Sequence, residues 1–151
     1  MALFSYPPPA FYFSVSFNGS TTDSSFQEVS GLKVEWEMEE LREGGQNRFA
    51  HKLPVRTKSS NVVLKRGAVL FGSPLANWLG ECFQADFSSG PIKTQDVIVQ
   101  LLNAAGNPVV KWWVLRAYPL SWDHSTLSAM ESNLLIETIE LSCAFVERSQ
   151  P

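Results

Sequence analysis

At 151 residues, with 44% hydrophobic and 18% charged side chains, the chain can bury one core and is too apolar to stay disordered. Its net charge of −3 argues against a general nucleic-acid binder, which would be basic. No stretch approaches the roughly 20 apolar residues of a membrane span. Met1 to Tyr6, followed by Pro7, Pro8 and Pro9, lacks the charged start and apolar run of a secretion signal, so synthesis in the cytoplasm is expected.

A proline-rich arm (residues 1–10) precedes Phe11, Phe13, Val15 and Phe17, which alternate with polar or smaller neighbours. A period of two marks a half-buried strand. Asn18 to Ser25 is polar and turn-rich and reads as a loop. From Phe26 the chain leads into a second alternating run, with Leu32, Val34, Trp36 and Met38 on one face and Lys33, Glu35, Glu37 and Glu39 on the other. Gly44-Gly45 breaks this run, and extended character returns over 49–57, giving a long hairpin over about 32–58. Pro54 cannot donate to a ladder, so the return strand is an edge or is bulged. A further strand spans Asn61 to Lys65 and stops at Gly67.

One helix is predicted, over 73–86. Ser73 suits the N-cap and Pro74 the first helical position. Leu75, Trp78, Leu79, Cys82 and Phe83 then form one apolar stripe, which would plug the open side of a barrel or sandwich. Strands follow over Asp96–Leu102 and Val109–Tyr118, joined by a hairpin loop at Asn103 to Asn107. The second of these has apolar residues on both faces, so both are covered. In the last strand Ile139, Leu141, Cys143 and Phe145 face inward. The expected fold is a mainly β single domain over residues 1–151: a small antiparallel barrel, or two packed sheets, with one flanking helix.

Residues able to carry chemistry do not converge. Asp123-His124-Ser125 has the residue types of a catalytic triad, but adjacent positions on one turn cannot supply its geometry, and turn or cap chemistry accounts for them. Cys82, Cys143, His51 and His124 show no short metal-ligand spacing. Both cysteines read as buried small hydrophobes rather than a disulfide. Glu35, Glu37 and Glu39 share a strand face and project together, unlike paired carboxylates across a cleft. Gly44-Gly45 has no phosphate-cradle motif. No catalytic, metal or cofactor residue is therefore expected.

Charge is concentrated instead. Eight of the twelve basic residues lie between Lys33 and Arg66, beside five glutamates. A hairpin carrying both signs suits either plain solvation or docking on a copy of itself. Five tryptophans and an exposed edge tilt the reading toward an interface.

Six ordered motifs resemble the tail tube proteins of contractile phages and extracellular contractile injection systems, a family related in fold to the type VI secretion tube protein. They are Tyr6-Pro7-Pro8-Pro9 before Phe11 to Val15, Val29-Ser30-Gly31-Leu32, Glu40-Leu41-Arg42-Glu43-Gly44, Asn61 to Gly67, Ala117-Tyr118-Pro119 through Trp122, and Glu131 to Leu141. Leu41 stands where relatives carry an aromatic, and Ala144 to Arg148 replaces their usual ending.

The resemblance implies a structural subunit without enzymatic activity or cofactor. By the same resemblance it would form stacked hexameric rings around a channel for cargo and be ejected when a sheath contracts. Partners implied are further copies of the chain, sheath, baseplate and tube-terminating proteins, with DNA only as passing cargo and no membrane binding by itself. The particle would be assembled in the bacterial cytoplasm and act outside it, anchored in a membrane or as a virion. Glu39, Glu40, Arg42, Glu43, Gly44, Arg48, Lys65 and Arg66 are the expected subunit contacts, with Glu35 and Glu37 facing the lumen or a neighbour. Three alternatives stay open: a tube initiator at the baseplate, a type VI effector-carrier ring, and, from another class, a monomeric barrel binding a small ligand.

Overall fold

Strand alternation sets which residues face inward, and the pairing order closes the strands into a barrel. The computed structural model describes residues 11–17, 21–41 (backbone alone for 21–25), 51–67, 73–84, 92–125 and 135–150. Its elements are β1 (Tyr12–Phe17), β2 (Thr21–Ser30), β3 (Val34–Leu41), β4 (His51–Ser59), β5 (Val62–Gly67), α1 (Pro74–Gln84), β6 (Gln95–Leu102), β7 (Pro108–His124), β8 (Ile136–Ser142) and β9 (Phe145–Ser149). Seven strands join in the order β6-β1-β2-β5-β8-β7-β9, and β6 also pairs with β7. That last pairing closes the sheet and removes two edges that would otherwise invite aggregation. β3 and β4 form a separate two-stranded ribbon.

The interior is filled. Val15, Phe17, Phe26, Val62, Leu64, Val97, Val99, Val114, Ile139 and Leu141 from the barrel join Leu75, Trp78 and Leu79 from α1 in one cluster. Phe17 meets Trp78 edge-to-face at 5.3 Å, and the indole N–H donates to the Lys93 carbonyl at 3.2 Å. The helix starts as its sequence predicts: Ser73 Oγ accepts the Ala76 N–H at 3.1 Å, and Pro74 opens the first turn. Its stripe is buried only in part, because Cys82 is half-exposed and Phe83 is 48% exposed at the far end. Positions 85 and 86 of the expected helix lie outside the described residues.

Three boundaries differ from the sequence reading. The polar stretch read as a loop up to Ser25 is already strand from Thr21, pairing Thr21, Thr22 and Asp23 with Phe17, Ser16 and Val15. Main-chain pairing with an apolar strand outweighs the polar side chains there. β7 does not stop at Tyr118 but runs to His124. Pro119 sits at a bulge against β8, the place where a sheet tolerates a residue without an N–H. Asp123 and His124 are therefore strand residues rather than a turn; Ser125 alone caps, its Oγ accepting the Ile136 N–H at 2.9 Å.

The third difference is at the C-terminal strand. The chain breaks between β8 and β9 at Cys143-Ala144, where the Ala144 N–H donates to the Leu115 carbonyl at 3.0 Å. The break shifts the alternation by one, so Val146 is buried in place of Phe145, which is half-buried. Cys82 and Cys143 are free thiols, half-buried rather than fully inside, and burial raises the pKa of both.

Candidate functional site

The ribbon β3–β4 is the element that leaves the barrel. Its register pairs Glu35 with Lys58, Trp36 with Thr57 and Glu37 with Arg56. The pattern then shifts by one, so that Met38 meets Pro54 and Glu39 meets Leu53. Pro54 thus sits beside a bulge on an open two-stranded ribbon, as a residue without a donor requires. Eight strand residues at about 3.3 Å each make the arm about 26 Å long.

The two faces of the arm differ. On one, Lys33 bonds Glu35 at 3.1 Å, Lys58 approaches the same carboxylate at 3.7 Å, and Arg56 Nε donates to Glu37. The Lys33 hydrogen bond holds the Glu35 carboxyl below its ordinary value, and the Arg56 hydrogen bond does the same for Glu37. On the other face, Val34, Trp36 and Met38 are 43%, 61% and 50% exposed. A row of large apolar side chains in water, backed by a face on which Glu35 and Glu37 are already matched, is the signature of a surface that docks on something. The charges serve the arm's own strand pairing.

A pH dependence follows from these carboxylates. A depressed folded pKa stabilises the arm above the ordinary value of 4.5, and that contribution is lost as the pH falls through the lower folded value. Following the Glu37 side-chain carboxyl by NMR should give a midpoint below 4.5, moving up toward it in Arg56→Ala. A midpoint at or above 4.5 in the unsubstituted protein would contradict the pairing.

The root of the arm is firmly tied. Gly31 adopts φ +83°, and the Lys33 N–H donates back to its carbonyl at 2.7 Å, turning the chain out of β2. The Ser60 N–H donates to the Lys33 carbonyl at 3.3 Å, and Ser59 Oγ accepts the Val146 N–H at 3.2 Å. The arm thus springs from a corner shared with β9.

The expected contact residues fall into three places. Glu39 and Glu40 lie exposed on the outer half of β3. Lys65 is on the barrel wall with its amine 3.9 Å from Glu28. Arg42, Glu43, Gly44 and Arg48 lie outside the described residues, as does the arm 1–10. Glu35 and Glu37 are held within the ribbon by the cations just named. Arg66 departs most from the expectation: at 1% exposure it is withdrawn from the surface and belongs to the subunit's interior.

Arg66 is the centre of a buried polar knot. β5 places it between Phe26 on β2 and Glu137 on β8. Its Nε donates to Glu137 Oε2 at 2.8 Å, its Nη2 donates to Ser73 Oγ at 2.7 Å, and its guanidinium lies 4.7 Å from the Phe26 ring centre. The Trp122 indole N–H donates to the other Glu137 oxygen. The knot therefore joins β2, β5, β7, β8 and the helix cap. Alternation held the signal for it: Arg66 shares parity with buried Val62 and Leu64, and Glu137 with buried Ile139 and Leu141. An arginine and a glutamate on inward positions of neighbouring strands must meet.

Among the described residues no group of three or more His, Cys, Asp or Glu side chains could hold a metal, and no helix is long and apolar enough to cross a membrane. No curated protein sequence matches the chain. Solved structures do. The anti-feeding prophage baseplate contains a chain 28% identical, with TM-score 0.74, covering 99% of this chain and 98% of that one. The sheath-tube complex of the PVC extracellular contractile injection system contains one 26% identical, with TM-score 0.76 and coverage of 98% and 95%. Hcp1 of Flavobacterium johnsoniae, at 15% identity and TM-score 0.58 over 93% and 96%, shares the fold. The sequence profile described as T4-like virus tail tube protein gp19 matches residues 9–147, so the chain belongs to that family of tail tube proteins.

Proposed function

We propose that this chain builds the inner tube of a contractile injection particle or phage tail, as a non-catalytic subunit in stacked hexameric rings. A sheath would surround the tube and baseplate and terminating proteins would close its ends, with cargo in the channel. Assembly would take place in the bacterial cytoplasm. Carrying this reading is the apolar row Val34, Trp36 and Met38 on an arm whose opposite face is ion-paired at Glu35 and Glu37. A monomer has no use for such an arm; a neighbouring copy would cover it. Relatives of this fold occur in a sheath-tube complex and at a tube-terminating cap.

The test replaces Trp36 and Met38 by serine. Both are exposed, so melting should shift by no more than about 1–2 °C. Burying a large apolar side chain contributes about 1.5–3 kcal/mol, so the concentration for half assembly should rise at least tenfold. Unchanged assembly would remove the arm from the interface. A second reading, a tube-starting ring at the baseplate, is favoured by the 28% identity to the anti-feeding prophage baseplate chain. It predicts single rings that do not elongate.

A further inference from the structure

We propose that Arg116 is an inter-subunit contact: a cation held on the barrel wall to receive a carboxylate of a second copy, with Glu39 or Glu40 of that copy as its partner. This rests on the tube reading. Arg116 has φ 52°, the positive value that side-chain-bearing residues avoid, and among the described residues no other non-glycine does. The fold demands this backbone. β7 turns here from β9, which pairs with Lys111 to Leu115, toward β8, which pairs from Tyr118 onward, and the register with β6 shifts opposite it. Asp96 Oδ1 accepts the Arg116 N–H at 2.9 Å, and the Leu115 carbonyl accepts the Ala144 N–H at 3.0 Å.

Nothing in the bend needs the arginine side chain. Glycine or asparagine would occupy the same backbone with less strain. The guanidinium is exposed and makes no ion pair or hydrogen bond among the described residues, not even with Asp96. Backbone strain retained with an unused charge at its tip points to a contact outside the subunit.

The acids available to meet it are few. Glu28 faces Lys65, Glu35 and Glu37 are paired along the arm, Glu137 is buried on Arg66, and Glu140 accepts from Asn61. Glu39, Glu40, Glu81, Asp123 and Glu147 make no such bond among the described residues, and of these only Glu39 and Glu40 lie on the one element that leaves the barrel. Five or six residues beyond Val34, they stand about 17–20 Å from the arm's root. An acid carried that far reaches a neighbour rather than its own barrel wall.

Light scattering against concentration, with thermal melts of the same samples, tests this on Arg116→Gly. Relief of strain, net of the freedom glycine adds to the unfolded chain, should raise melting by about 1–4 °C. Loss of an exposed ion pair should raise the concentration for half assembly by about three- to fivefold. Stability and assembly would then move in opposite directions, which a purely structural arginine cannot produce. Assembly at the wild-type concentration, or a lower melting temperature, would overturn the proposal. Arg116→Glu should assemble worse still, and adding Glu39→Lys with Glu40→Lys should recover most of the loss; no recovery would overturn the assignment to those two acids. Failure of the unsubstituted protein to assemble would instead strike the tube reading itself, before any variant is made.

Discussion

Arg66→Ala is expected to lower the unfolding free energy by about 3–5 kcal/mol and the melting temperature by about 10 °C or more. The reason is the orphan it leaves. Glu137 is 2% exposed and takes two of its hydrogen bonds from Arg66 and Trp122, so without the guanidinium a carboxylate stays buried against a single indole N–H. Ser73 loses a donor at the same time, loosening the start of α1. Arg66→Met combined with Glu137→Gln removes both charges and keeps an acceptor for Trp122. That double variant should be more stable than Arg66→Met or Glu137→Gln alone, as coupled partners require. Thermal melts of these variants, Arg66→Ala included, beside the unsubstituted protein decide it. Additive losses, or a cost below about 1 kcal/mol for Arg66→Ala, would show that the knot is not an energetic unit.

Gly31→Ala should be about as damaging, from a single methyl group. The residue sits at φ +83°, and a Cβ built there would run into the Asn61 carbonyl oxygen and lie 2.9 Å from its carbon. Both obstacles are backbone, so relief requires moving the strand that starts at Val62 or the turn at the root of the arm. The conformational penalty alone is about 1–2 kcal/mol, and displacement of packed backbone should bring the total to roughly 3 kcal/mol or more. Denaturant unfolding measures it. Because the turn also aims the arm, the surviving folded protein should assemble poorly. A cost under about 1 kcal/mol would mean that the chain turns otherwise at Gly31.

Much of this was legible in the sequence because period two is unambiguous. Val62, Leu64 and Arg66 alternate with Val63 and Lys65, and Ile139 and Leu141 alternate with Thr138 and Glu140; the structure follows both patterns. The helix was equally clear, since Ser73-Pro74 marks its start and Leu75, Trp78 and Leu79 its buried face. Arg66 stands among the contacts that the resemblance implies, although its parity places it inside beside Glu137. The expected end of β7 at Tyr118 falls short of His124, because a bulge accommodates Pro119 and the strand continues.

Closure of the barrel by β6 and β7, and the bend at Arg116, depend on pairings between distant strands that local pattern does not encode. The arm was readable as a hairpin. Which face would be left in water, and which paired within itself, emerged only from the register of Glu35 and Glu37 against Lys58 and Arg56.

These findings converge on a barrel subunit completed by copies of itself. Their most direct test is the mass of the purified chain in solution by light scattering, with negative-stain images of the same sample over a range of concentrations and ionic strengths. Rings of six subunits, lengthening into rods as concentration rises, are expected. A monomer under every condition would contradict it.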